Sequence, residues 1–204
     1  MNSIYKVYGT KYDFDTLVNK IDEYMKQHLK DSRIMHTKGV VYAALGLCML
    51  YDEDTGKAKI AAMCHDLAKY VSDEEANRYV KKLGLPDYYM NNNNLVHSKI
   101  ACEIMKEQWG ITDEDILNAV SYHTTGRAGM SKLEKIIFLA DASEPGRYYP
   151  GVDIIRSDLE ESLDKGCESS LRRTIEYLND AGEFIAPESV EALEFLQERR
   201  ENND

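Results

Sequence analysis

The amino-acid sequence predicts an all-α fold, and three observations carry that prediction. Apolar residues recur at three- and four-residue spacing through most of the chain, the period of a helix with one buried face. Helix-start signatures, a hydroxyl residue with an acidic residue three positions on, stand at Ser72, Thr112 and Ser131. No segment alternates apolar and polar residues convincingly enough to read as a strand.

The elements follow in order. Phe14, Leu17, Val18, Ile21, Met25 and Leu29 form one stripe and predict a first helix from about Asp13 to Leu29. A second, from about Ser32 to Tyr51, turns Val40, Val41, Ala44, Leu45 and Cys48 inward, and Asp52-Glu53-Asp54-Thr55-Gly56 breaks the pattern. The third carries Ile60, Ala61, Met63, Cys64, Leu67 and Ala68 and is expected to end near Tyr70. The Ser72 capping box opens the fourth, which Gly84 and Pro86 stop. Asn91 to Asn94 read as a solvated loop before a fifth helix over about Leu95–Trp109, stopped by Gly110. The sixth starts after Thr112, with Ile111 placed to staple onto Ile116, and ends around Thr124. The seventh runs from Lys135 to Asp141 through Ile136, Ile137, Phe138 and Leu139, and Glu144-Pro145-Gly146 ends it. Two more helices are expected over Asp153–Lys165 and Glu168–Asn179, and a last one starts at Pro187 and frays into an acidic tail.

No linker divides these elements, so the 204 residues read as one domain. Its core spans about residues 30–190, with the N-terminal helix and the acidic tail as additions. The formal charge of −11, from 36 acidic against 25 basic residues, excludes a general nucleic-acid polymer binder, which needs clustered Lys and Arg. An anionic substrate must then be drawn in by a metal and a few placed cations. The first 12 residues lack a signal-peptide apolar stretch, and Val40–Tyr51 is too short to span a bilayer. Cys48, Cys64, Cys102 and Cys167 have no CxxC spacing and read as buried thiols. A cytoplasmic protein with no membrane partner is expected.

The chemistry concentrates at Ala61-Ala62-Met63-Cys64-His65-Asp66-Leu67-Ala68. A carboxylate inside an apolar helix must be compensated or change its protonation state, and a metal shared with His65 compensates it best. Of the five histidines, His28 sits on an amphipathic helix and is assigned no role. His36, His65, His97 and His123 lie on four different predicted helices, each among apolar neighbours. Singly, each reads as a satisfied core or boundary histidine; Asp141, at the end of another buried run, singly reads as a turn residue.

Together they form the order His36, His65-Asp66, His97, His123, Asp141, which resembles the HD superfamily of metal-dependent phosphohydrolases, an all-helical fold. Mixed imidazole and carboxylate ligation suits iron, manganese or another divalent ion rather than a structural zinc. The stretches Arg33-Ile34-Met35-His36, Phe138-Leu139-Ala140-Asp141 and Glu144-Pro145-Gly146-Arg147 narrow the resemblance to bacterial HD-domain bis(5′-nucleosyl)-tetraphosphatases, which cleave diadenosine tetraphosphate symmetrically. That resemblance implies an HD-domain helical bundle with additional C-terminal helices, and iron held by His36, His65, Asp66 and Asp141. It implies nucleotide contacts from Arg33, Asp66, His97, His123 and Arg147, and from Phe184, Ile185, Ala186, Pro187, Glu188 and Ser189. Asp66, His97, His123 and Arg33 are the expected catalytic groups. The expected partner is a dinucleoside polyphosphate or another nucleotide, and a homodimer is left open. Two other readings remain at this point. One is another HD phosphohydrolase, a nucleotidase or phosphodiesterase, in which His97 and His123 hold a second metal. The other is a nucleotide-binding regulator without turnover.

Overall fold

The computed structural model describes residues 6–202, and among these it contains helices, turns and no strand. Ten helices follow one another: α1 (Phe14–His28), α2 (Asp31–Tyr51), α3 (Thr55–Cys64), α4 (Asp73–Leu83), α5 (Asn93–Trp109), α6 (Glu114–Ser121), α7 (Lys132–Ser143), α8 (Val152–Glu161), α9 (Leu163–Ala181) and α10 (Pro187–Glu201). A single 3₁₀ turn, Asp87–Tyr89, precedes α5.

The helix starts follow the side-chain oxygens that the sequence supplies. Asp13, Asp54, Ser72, Asp113, Ser131 and Ser162 each accept a backbone N–H from the first turn of the helix that follows. Asp113, not Thr112, caps α6, one residue later than the Thr112 signature implies. Gly84, Gly110 and Gly182 close α4, α5 and α9 in the left-handed conformation.

Helix α7 is the axis of the molecule. Every residue from Leu133 to Ala140 is buried, so it is enclosed on all sides, by α2, α3, α6, α8 and α9. The two charged residues of that buried stretch are paired: Glu134 takes two hydrogen bonds from Arg127, at 2.6 and 2.8 Å, and Lys135 pairs with Asp164. Helix α1 buries Leu17, Ile21 and Met25 in the same core, and α10 packs on α9 through Ala192 and Leu196. Helix α2 is the one helix among the described residues whose length and apolarity suit a bilayer. It packs here against α3 and α7 and carries His36.

The polar run at Asn91–Asn94 differs from the solvated loop expected. Asn91 and Asn77 hold each other through two hydrogen bonds, at 2.8 and 2.9 Å. Asn93 starts α5 and donates to the carbonyls of Lys69 and Val71. The run is therefore an anchor between α5 and the segment that follows His65-Asp66.

Candidate active site

His36 and His97 ride on the second turns of α2 and α5, while His65 and His123 stand just past the ends of α3 and α6. Helix α3 thus stops at Cys64 and does not continue to Tyr70. The backbone pattern changes there. The Ala62 carbonyl, which a continuing helix would give to the Asp66 N–H, accepts instead from His65 Nδ1 at 2.7 Å. The chain then tightens into three-residue bonds, Leu67 N–H to Cys64 and Lys69 N–H to Asp66. This turn carries Asp66 into the centre of the fold.

The same device recurs at two other histidines. His97 Nδ1 donates to the Asn93 carbonyl and His123 Nδ1 to the Val120 carbonyl, both at 2.8 Å. At His36 the partner is a carboxylate, Glu144 Oε1, at 3.1 Å. A carbonyl or carboxylate oxygen only accepts, so each Nδ1 carries a proton, and in the neutral ring each Nε2 keeps its lone pair. All four Nε2 atoms point to one place.

Asp66 lies in the middle of that place. Its Oδ2 is 3.2 Å from His65 Nε2 and 3.8 Å from His36 Nε2; its Oδ1 is 3.1 Å from His97 Nε2 and 4.0 Å from His123 Nε2. Asp141 completes the ring, with Oδ1 2.9 Å from His36 Nε2 and 3.9 Å from His65 Nε2. Three overlapping sets each bring ligand atoms within 4.8 Å of one another: His36, His65, Asp66; His65, His123, Asp141; and Asp66, His97, His123. His97 Nε2 and His123 Nε2 face each other at 3.2 Å.

This donor set fits a divalent ion. Four imidazole lone pairs and two carboxylates converge with few protons among them, and a cation satisfies such an array. His65 Nε2 is wholly buried and has no hydrogen-bond partner, as expected of an atom whose partner is a metal. The ligand types are nitrogen and oxygen only, and all four cysteines are buried, free and outside the three sets.

Electrostatics point the same way. Burial pushes the Asp66 and Asp141 carboxyls up, but the neighbouring histidines outweigh it and hold both well below the usual carboxylate range. Burial, with His65 and His97 nearby, drives His123 down to about 3, and burial lowers His97 as well. The two carboxylates are ionised and these two imidazoles neutral near pH 7, whereas Asp66 and Asp141 outweigh burial at His65 and raise it, so a cation bound there displaces a proton from that imidazole.

Three cations surround the ring. Arg33 Nη1 donates to Asp66 Oδ2 at 2.7 Å, and Arg33 Nε is buried without a partner. Arg147 Nη2 donates to Asp141 Oδ1 at 2.5 Å, and its Nε to the Asp141 carbonyl at 2.8 Å. Lys69, partly buried, lies within the field of Asp66, Asp141, Arg33 and Arg147. In a chain of net charge −11 this is a local basic pocket for an anion.

Phe184 to Ser189 make no hydrogen bond or ion pair with a ring residue. Phe184 stacks on Tyr88 with centroids 5.2 Å apart, and Glu188 accepts from the hydroxyls of Tyr88 and Tyr89. Ile185 is half-buried, Ala186 and Ser189 are buried, and Pro187 opens α10. His28 stacks on Tyr24 and takes no part in the site.

Sequence reasoning missed three residues that build it. Glu144 reads in sequence only as a turn residue, yet it is 5% exposed and orients His36. Its carboxylate also accepts the Gly146 N–H, tying down the turn that delivers Arg147. Arg156, on α8, gathers the carbonyls of Ser143, Glu144 and Arg147 and holds that same turn. Lys69 stands three residues after Asp66, which is the only signal for it in the sequence.

Comparison with known proteins agrees with the geometry. The HD domain family model matches residues 33–146, the span from the Arg33 turn to the end of the Glu144 turn. A symmetrical bis(5′-nucleosyl)-tetraphosphatase of Halalkalibacterium halodurans is 40% identical over 167 residues, covering 81% of this chain and 89% of that protein. One of Bacillus subtilis is 36% identical over 173 residues, covering 84% and 93%. The crystal structure of a predicted HD superfamily hydrolase involved in NAD metabolism from Clostridium acetobutylicum superposes with a TM-score of 0.85 at 40% identity, covering 89% of this chain and 97% of that one. With its His and Asp ring assembled in the order that the sequence spells, the chain belongs to the HD domain family and, within it, to the symmetrical bis(5′-nucleosyl)-tetraphosphatases.

Proposed function

We propose that this chain is a metal-dependent phosphohydrolase that cleaves diadenosine tetraphosphate symmetrically into two ADP. The observation that carries the reading is the convergence of four imidazole Nε2 lone pairs on two ionised carboxylates, ringed by Arg33, Lys69 and Arg147. Such an array holds a cation and then an anion against it.

His36, His65, Asp66 and Asp141 would hold the ion, iron in the first instance, with manganese or another divalent metal as the alternative. When bound, the ion supplies Lewis acidity to the attacked phosphoryl group and a nucleophile usable at neutral pH. The protein's own groups do the rest. Arg33 and Arg147 neutralise charge as it spreads over the phosphate chain, and the unspent Nε–H of Arg33 is a donor already desolvated for that purpose. His97 and His123, both buried and neutral in the free protein, would take up a proton as the anionic phosphate chain enters beside them and then donate to its oxygens, and one of them delivers that proton to the departing ADP. Asp66, central to both halves of the ring, orients the attacking water. Phe184 to Ser189 serve one nucleotide as a binding segment. The four buried free thiols suit a reducing compartment, and this reading places the reaction in the cytoplasm.

A second reading has an observation of its own. Asp66, His97 and His123 form a further set of three ligand atoms that shares Asp66 with the first, so a two-metal centre is the rival. Metal content, counted together with the identity of the products from diadenosine tetraphosphate, tests both readings.

A further inference from the structure

A cavity opens onto the ring and shares only its edge with the residues assigned to the ring. It measures about 630 Å³ and is bordered by His123, Asp141 and Arg147 on the catalytic side. Its far side is built from α9 and the turn before α8: Tyr149, Arg173 and Tyr177. Phe138 and Ile155, both buried, give it an apolar floor. The size is that of a small-molecule site, apolar with a few placed polar groups.

Its polar groups are held in place. The Tyr149 hydroxyl donates to the Ala142 carbonyl at 2.7 Å, which fixes the ring. Arg173 donates through Nη2 to the Pro150 carbonyl, and its Nε is buried with no partner. Gly151 makes room for that guanidinium: a Cβ there would lie 2.2 Å from Arg173 Cζ, and its φ of +85° favours glycine besides. Tyr177 stands at the lip, 71% exposed, a large aromatic face turned to solvent.

Phe184, the head of the segment implied in nucleotide binding, lines a different cavity of about 500 Å³ with Tyr88 and Asn91 to Asn94. The two cavities share no lining residue. A symmetrical substrate carries two nucleosides, and its phosphate chain must pass the ring.

We infer that the cavity between α7, α8 and α9 is a second nucleoside subsite. It takes the half of the substrate that the Phe184 segment does not, with the base against Tyr177 and Arg173 and the phosphates leaving past Arg147. The inference rests on the dinucleotide reading above and adds residues which that reading does not use.

The test compares the wild-type holoenzyme with Tyr177→Ala, a surface substitution on a formed helix. Two ligands are used: diadenosine tetraphosphate, with two nucleosides, and adenosine 5′-tetraphosphate, with one. Loss of one base-stacking face, half solvated here, raises KM for diadenosine tetraphosphate about five- to ten-fold while kcat holds within about two-fold. The inhibition constant of adenosine 5′-tetraphosphate, which retains the other subsite, changes less than KM does. An unchanged KM, or equal losses for both ligands, overturns the second subsite. Should the wild-type enzyme release no ADP from diadenosine tetraphosphate, it is the hydrolase reading that fails. The cavity is then judged by ADP titration with Tyr177→Ala/Arg173→Ala as the second variant. Two ADP per wild-type chain and one per variant chain support the subsite; equal stoichiometry overturns it.

Discussion

Glu144→Ala is expected to loosen the metal without unfolding the protein. The carboxylate is buried, bonded through Oε1 to His36 Nδ1 at 3.1 Å and through Oε2 to the Gly146 N–H. The backbone is shaped around it: a Cβ on Gly39 would sit 2.3 Å from Oε2, and one on Gly146 would sit 2.9 Å from Oε1. Truncation to Ala removes the acceptor that keeps the His36 proton on Nδ1 and its lone pair aimed at the ring. It also frees the turn that carries Arg147. Loss of such an outer partner typically weakens a metal site about 10- to 100-fold, or about 1.4 to 2.7 kcal/mol. Competition against a chelator of known affinity measures this, with far-UV circular dichroism as the control for folding. Glu144→Gln should fall between wild type and Ala, because His36 and Gly146 donate to two different oxygens and the NH₂ that replaces one of them only donates. Gly39→Ala should move in the same direction by displacing the carboxylate. Wild-type metal affinity in Glu144→Ala would refute the reasoning.

Three further outcomes follow from the ring. Asp66→Ala is expected to lose metal and turnover together with helicity retained, and a variant with full metal and a near-normal rate would contradict the central place of Asp66. His97→Ala and His123→Ala should lose activity and keep the first ion; elemental analysis showing one ion fewer than wild type in both would establish the two-metal centre, and complete loss would move that histidine into the first ligand set. Arg33→Ala should lower kcat/KM by about one to three orders of magnitude, as loss of a charge-stabilising donor does, with kcat falling as well as KM rising. ADP should stay its sole nucleotide product, which chromatography reads directly.

The sequence made the helices legible wherever a cap oxygen and an apolar stripe coincide, as at Ser131 ahead of Leu133–Ala140. It failed at the His65-Asp66 turn. Apolar spacing continues through Leu67 and Ala68, while the backbone leaves the helix at His65, whose ring bonds the Ala62 carbonyl, and closes into three-residue bonds. That bond between side chain and backbone has no signature in periodicity. The ring residues were legible because four histidines and two aspartates in one order are scarce residue types in apolar surroundings. Glu144 and Arg156 were not, since acidic and basic residues in turns and short helices are ordinary surface composition. Only the fold brings them beneath His36 and the Arg147 turn. The Asn91–Asn94 run is partly solvated, with Asn91 and Asn94 exposed, but Asn91 also pairs with Asn77 and Asn93 donates to Lys69 and Val71, ties that its polarity alone does not announce.

The most direct measurement is of the products formed from diadenosine tetraphosphate by the purified protein as its metal is removed and restored. ADP is expected as the only nucleotide released, at a rate that falls to background when a chelator strips the ion and returns in proportion to the metal added back. AMP together with ATP, or a rate indifferent to the metal, would contradict it.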